Sequence, residues 1–134
     1  MTNEIPPLTL GWTIVYVDDP VAASDFYART FGLTLEFAVP DGSYAQMDTG
    51  QTKLAFASYA LGDSNFPGGV ARPDPDRPSN VEITLVTPDV DAATRVALQA
   101  GCTLLADPAD KPQGQRVSWV RDPFGTLVEI ATPL

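Results

Sequence analysis

Glu129 stands in the run Thr126-Leu127-Val128-Glu129-Ile130, a carboxylate in the middle of an apolar, β-branched stretch. A charged residue there either faces water or faces a cavity, where it can hold a cation or move a proton. Glu82 occupies a similar run, Val81-Glu82-Ile83-Thr84-Leu85. The chain has no histidine, which removes the commonest metal ligand and the commonest general base at neutral pH and excludes Ser-His-Asp and Cys-His mechanisms. If the two carboxylates lie close together, they titrate as a coupled pair with one pKa raised. The empty site then holds a shared proton that a cationic ligand displaces. Cys102 opens an apolar stretch, cannot form an internal disulfide, and reads as a small buried hydrophobe.

The elements that position these residues come in two similar sets. Thr13 to Phe37 reads as a β-branched strand, an Asp-Asp-Pro helix start, a helix ending at Gly32 and a second strand. Ile83 to Leu105 repeats that order, with its helix ending at Gly101. Setting Asp19 over Asp89 aligns the two as a weak tandem repeat, with Trp12 over Glu82 and Ala55 over Glu129. Each half continues into two more strands joined by a polar turn, and Asp122-Pro123-Phe124-Gly125 is explained by turn chemistry alone. The expected fold is therefore α+β, with one domain over 1–134 made of two βαβββ modules. These span about 9–58 and about 80–133, with residues 59–79 as a plain linker or a flap over a site. Phe26, Tyr27 and Phe31 of the first helix are assigned to the core. Pro6 and Pro7 either end a frayed tail or serve a strand exchange between subunits.

Seventeen acidic against eight basic residues give a formal charge of −9, so the field repels phosphate backbones and anionic lipid and favours cations. Nucleic acid and membranes are not expected partners. The N-terminal stretch lacks the pattern of a signal peptide, and a cytoplasmic, soluble protein is expected.

The stretches Val17-Asp18-Asp19-Pro20 to Leu35 and Val120-Arg121-Asp122-Pro123-Phe124-Gly125 to Ile130 resemble the vicinal oxygen chelate superfamily, which includes glyoxalase I, extradiol dioxygenases and bleomycin resistance proteins. The resemblance runs from about Leu10 to Pro133. It implies two βαβββ modules forming a curved mixed sheet around a cup, within a homodimer. In metal-using members four ligands line that cup, and their positions fall here on Trp12, Ala55, Glu82 and Glu129. Two carboxylates, an indole and a methyl group suit neither Zn, Ni nor Fe, and could hold Mg, Ca or Mn only with water or substrate completing the shell. No metal or other cofactor is therefore expected, with a divalent cation as the weaker alternative. The metal-free bleomycin-resistance branch fits better.

Strand alternation supports a binding cup. With Glu129 facing in, Leu127 and Ala131 do too, as do Glu82 and Thr84, and Trp12, Ile14 and Tyr16, while Ala55 and Ala57 leave room. On the third strands Tyr44 and Gln46 are grouped with Ser118 and Val120, and Ala45 and Met47 with Trp119 and Arg121. Parity leaves open which group lines the cup, and Trp119 is either a ligand platform or a core plug. The expected ligand-binding set is Trp12, Tyr16, Ala55, Glu82, Trp119 and Glu129. Three functions follow: sequestration of a cationic or aromatic small molecule, as in antibiotic resistance; a lyase or isomerase using Glu129 or Glu82 as general base; or a dimeric sensing module whose cup is packed shut.

Overall fold

A computed structural model describes residues 4–134. Its elements are β1 (Trp12–Val17), α1 (Pro20–Phe31), β2 (Thr34–Ala38), β3 (Tyr44–Asp48), β4 (Lys53–Ser58), α2 (Tyr59–Asn65), β5 (Glu82–Val86), α3 (Val90–Gln99), β6 (Thr103–Asp110), β7 (Arg116–Arg121) and β8 (Leu127–Ala131). Both long helices start at an aspartate whose side chain accepts a backbone N–H, Ala22 for Asp19 at 3.1 Å and Ala92 for Asp89 at 3.0 Å. Pro20 follows Asp19 at the first helical turn, and Gly32 ends α1 in the left-handed conformation at φ 73°.

The strands form two four-stranded mixed sheets, ordered β1-β4-β3-β2 and β5-β8-β7-β6. In each, the first and last strands of the module pair in parallel and the other pairs are antiparallel. This is the expected α+β fold of two βαβββ modules. Among the described residues, no strand of one sheet comes within 8 Å of a strand of the other, measured between Cα atoms. The modules are joined instead through the apolar faces of α1 and α3 and the strand residues beneath them. Phe26, Tyr27, Met47, Leu54 and Phe56 from the first module form one buried cluster with Val90, Ala97, Cys102, Val120, Val128 and Ile130 from the second. Burial of this shared face is the main stabilising term, at roughly 1.5–3 kcal/mol for each large apolar side chain.

A polar contact pins the cluster. Asp122, in the turn between β7 and β8, is 3% exposed. Its Oδ1 accepts the backbone N–H groups of Phe124 at 2.9 Å and Thr126 at 2.8 Å, and its Oδ2 accepts the Tyr27 hydroxyl at 2.6 Å. The Asp-Pro-Phe-Gly turn therefore does more than close a hairpin: it ties the second module to α1 of the first. Phe124 adds an edge-on ring contact to Phe26, centroids 5.8 Å apart.

Alternation places Val15, Val17, Leu54, Phe56, Val128 and Ile130 against the helices, leaving Trp12, Ile14, Glu82, Thr84 and Glu129 on the opposite, open faces. On the third strands the expected grouping needs correction. Gln46 pairs with Ala55 and Trp119 with Glu129, so the second hairpin is one residue longer between these partners than the first. That extra residue shifts every side chain of β7 to the other face relative to a simple superposition. Tyr44 and Gln46 share the character of Trp119, on the open face. Ser118 and Val120 are buried, as are Ala45 and Met47, and Ser118 lies 2.7 Å from the hydroxyl of Thr94 on α3. The inter-module segment is also not wholly irregular, since it begins with α2, whose N-cap Ser58 accepts the Leu61 N–H at 3.1 Å.

Candidate functional site

On the second sheet, three strands bring polar groups together on the open face. Glu82 opens β5, Thr84 lies two residues on and points the same way, Glu129 is its register partner on β8, and Trp119 is the partner of Glu129 on β7. The Trp119 indole N–H donates to Glu82 Oε1 at 3.2 Å. The Thr84 hydroxyl lies 3.0 Å from Glu82 Oε2 and 3.2 Å from Glu129 Oε1. A hydroxyl carries one proton and cannot donate to both carboxylates at once. A proton on Glu129 resolves this, because Thr84 can then accept from one carboxyl and donate to the other. Burial first, and the charge of Glu82 second, hold the Glu129 carboxyl above its ordinary value of 4.5. The Lys111 ammonium stands 5.5 Å from the centre of the Trp119 ring, so that indole already carries a cation.

The first sheet presents a different arrangement. The Trp12 indole N–H reaches past β4 to donate to Gln46 Oε1 on β3 at 2.8 Å, and the Tyr44 hydroxyl donates to the same oxygen at 2.7 Å. Gln46 Nε2 in turn donates to Glu36 Oε2 at 2.8 Å, and Lys53 Nζ lies 3.5 Å from the same carboxylate. The bonds to Trp12 and Tyr44 fix which end of the Gln46 amide is oxygen. The small side chain of Ala55, fully buried on β4, leaves the path for the indole. The same motif thus occurs in both sheets with its ends exchanged: an indole on β1 meets an acceptor on β3, and an indole on β7 meets an acceptor on β5.

Of the six expected residues, Glu82, Trp119 and Glu129 come together. Trp12 and Ala55 sit on the other sheet, and Tyr16, although on the same strand as Trp12, packs toward α2. Trp12 and Ala55 lie on the first sheet and Glu82 and Glu129 on the second, so the four positions are divided two and two between the modules. Sequence reasoning missed the bridging part of Thr84 and the Glu36–Gln46 link. Alternation did place Thr84 beside the carboxylates, whereas Glu36 lies at a break in the β2–β3 register between Leu35 and Phe37 that no residue type advertises.

The donor set does not fit a catalytic metal of the kind the family resemblance implies. Two carboxylates and a hydroxyl offer no nitrogen or sulfur donor, and the carboxylates are already engaged by Thr84 and Trp119. Among the described residues there is no group of three or more His, Cys, Asp or Glu able to hold a metal ion.

Comparison with known proteins agrees with the fold. The family profile described as Glyoxalase/Bleomycin resistance protein/Dioxygenase superfamily matches residues 9–130. Two curated relatives are similar at 29% identity: the Mycobacterium bovis protein CFP32, whose name carries the word glyoxylase, over 93% of this chain, and the anthracycline biosynthesis protein DnrV of Streptomyces peucetius, over 89%. The chain spans 44% and 39% of their lengths, less than half of each. Among solved structures, a glyoxalase/bleomycin resistance protein/dioxygenase family enzyme from Burkholderia phytofirmans superimposes with a TM-score of 0.77 at 20% identity, covering 95% of this chain and all of that one. TioX from a Micromonospora species gives 0.68 at 25% identity, covering 94% of this chain and 99% of the other.

Proposed function

The chain belongs to the Glyoxalase/Bleomycin resistance protein/Dioxygenase superfamily, and on that premise we propose that it binds a flat, cationic organic molecule on the open face of its second sheet and sequesters it without chemistry. The observation that carries this reading is the Glu82–Thr84–Glu129 contact beside the Trp119 indole. Two carboxylates sharing a proton exchange it for a ligand cation, and the indole stacks on the ligand's ring in place of Lys111. The name of the anthracycline-biosynthesis relative is in keeping with a bulky organic ligand. A homodimer belongs to this reading: Trp12 and Ile14 are 56% and 44% exposed on the first open face, and a second copy offers a surface to cover them. Cytoplasmic residence and a part in antibiotic resistance are included on the same terms.

Thermal unfolding with the flat cationic dye proflavine tests the proposal. At a dye concentration of 100 times Kd, mass action stabilises the folded state by about 2.7 kcal/mol. Wild type should gain several degrees in Tm, and the Glu82→Gln/Glu129→Gln double variant should gain little. An equal gain in both, or none in wild type, rejects the reading.

A second reading is favoured by one observation. Glu129 with its carboxyl held high is suited to act as a general base beside a carbonyl, in an isomerase or lyase reaction. Deuterium uptake from D2O into hydroxyacetone, abolished by Glu129→Gln, would support it. Uptake unaffected by that change would rule Glu129 out as the base.

A further inference from the structure

A cavity of about 810 Å³ lies between β1, the start of β5 and the segment that joins the modules. It is separate from the carboxylate face, since none of Glu82, Thr84, Trp119 and Glu129 lines it. Its walls are mostly rings and branched aliphatics: Tyr16, Tyr59 and Phe124, with Pro73, Pro78 and Val81.

The joining segment forms a built wall rather than a loose strand of chain. Asp63 accepts two hydrogen bonds from Arg72, at 2.9 and 2.8 Å, and the backbone N–H of Val70 at 2.8 Å. The Arg72 guanidinium lies over the Tyr59 ring, 3.9 Å from its centre. Arg121 Nη1 donates to the Pro75 carbonyl at 2.7 Å, fastening the segment to β7. Two glycines let the wall seat closely. A Cβ on Gly62 would lie 2.7 Å from the Tyr16 ring, and one on Gly125 would lie 2.6 Å from Pro73.

We propose that this junction cavity is a second small-molecule site, and that its ligand is a flat, uncharged ring compound carrying a hydrogen-bonding oxygen. The volume falls within the range of roughly 300–1,000 Å³ usual for ligand sites, and the apolar wall with few polar groups has their usual character. The charges around it argue for a neutral ligand. Among the described residues, three charged side chains line the cavity, Arg72, Asp74 and Arg77. Arg72 is held by Asp63, and Arg77 pairs with Asp74 at 3.5 Å. Among the described residues, each charged group lining the cavity therefore has an opposite charge beside it. The hydroxyl of Ser79 and the amide of Asn80 line the same space, and among the described residues neither side chain has a hydrogen-bond partner in the protein, so both are free for a ligand oxygen.

The neutral, flat dye Nile red tests the site by fluorescence titration of the whole chain. Saturable binding of one dye per chain is expected, with Kd weakened at least tenfold by Ala71→Trp and by Ser79→Trp, which place a large ring into the cavity from the exposed joining segment. Amide NMR shifts of the unmodified protein give the location without relying on either variant. Changes centred on Val70, Val81 and Gly125 are expected. No saturable binding, an unchanged Kd in both variants, or shifts centred on the open sheet faces would overturn the proposal.

Discussion

At Glu129 the quantity that matters is a proton. Its carboxyl is held above 4.5, first by burial and then by Glu82, so the folded chain holds that proton more tightly than the unfolded chain does. The resulting stability is fully present below the unfolded value and is lost as pH rises through the folded one. Glu129→Gln removes the dependence. As pH rises from below the ordinary value of 4.5 through the raised folded value, the Tm of wild type should therefore fall relative to that of the variant, and parallel curves would show that no proton is shared. Asp122 works in a drier place. Burial is the leading cause that raises its carboxyl, against the bonds from Tyr27 and the turn that lower it. Tyr27→Phe deletes the only side-chain bond from outside the turn among the described residues and should cost about 1–3 kcal/mol, read as a Tm lowered by several degrees. That loss should grow as pH rises and Asp122 ionises; a loss below 0.5 kcal/mol would mean Asp122 finds water instead. The carboxylates were legible in the sequence because a charge in an apolar strand is conspicuous. The Tyr27–Asp122 bond was not, since it joins residues 95 positions apart and each alone had an adequate local explanation.

Among the elements, caps gave away both modules: the Asp-Pro and Asp-Val helix starts sit where the structure has them, α1 is capped by Gly32, and α3 is capped by Ala100, one residue before Gly101. What escaped was a single residue of hairpin length, and because strand faces alternate, that one residue reassigned Trp119, Ser118 and Val120 together. The turn glycines separate backbone from packing. Gly114 and Gly125 have nearly the same positive φ, 96° and 97°, but a Cβ on Gly114 meets nothing within 4 Å while one on Gly125 strikes Pro73. Gly114→Ala should cost about 1–2 kcal/mol for backbone strain alone. Gly125→Ala should cost more and should also move the joining segment, so equal losses by chemical denaturation would show that Pro73 yields freely.

For the whole molecule, the repeat was readable but the way its halves meet was not. The expected cup left open whether the modules pair within a chain or between chains; here the modules share a core across their helices, and among the described residues no strand of one sheet comes within 8 Å of a strand of the other, measured between Cα atoms. Bare aromatic and aliphatic surface on the first face predicts self-association, and Trp12→Glu should convert a dimer to a monomer in sedimentation; a wild-type protein monomeric at all concentrations would contradict this. The most direct test of the central claim is calorimetric titration of proflavine into wild type and into Glu82→Gln/Glu129→Gln across pH 5 to 8. The account predicts one site per chain that tightens as pH rises, with proton release, and a Kd at least tenfold weaker in the double variant. Binding equally tight in both proteins, or independent of pH, would contradict it.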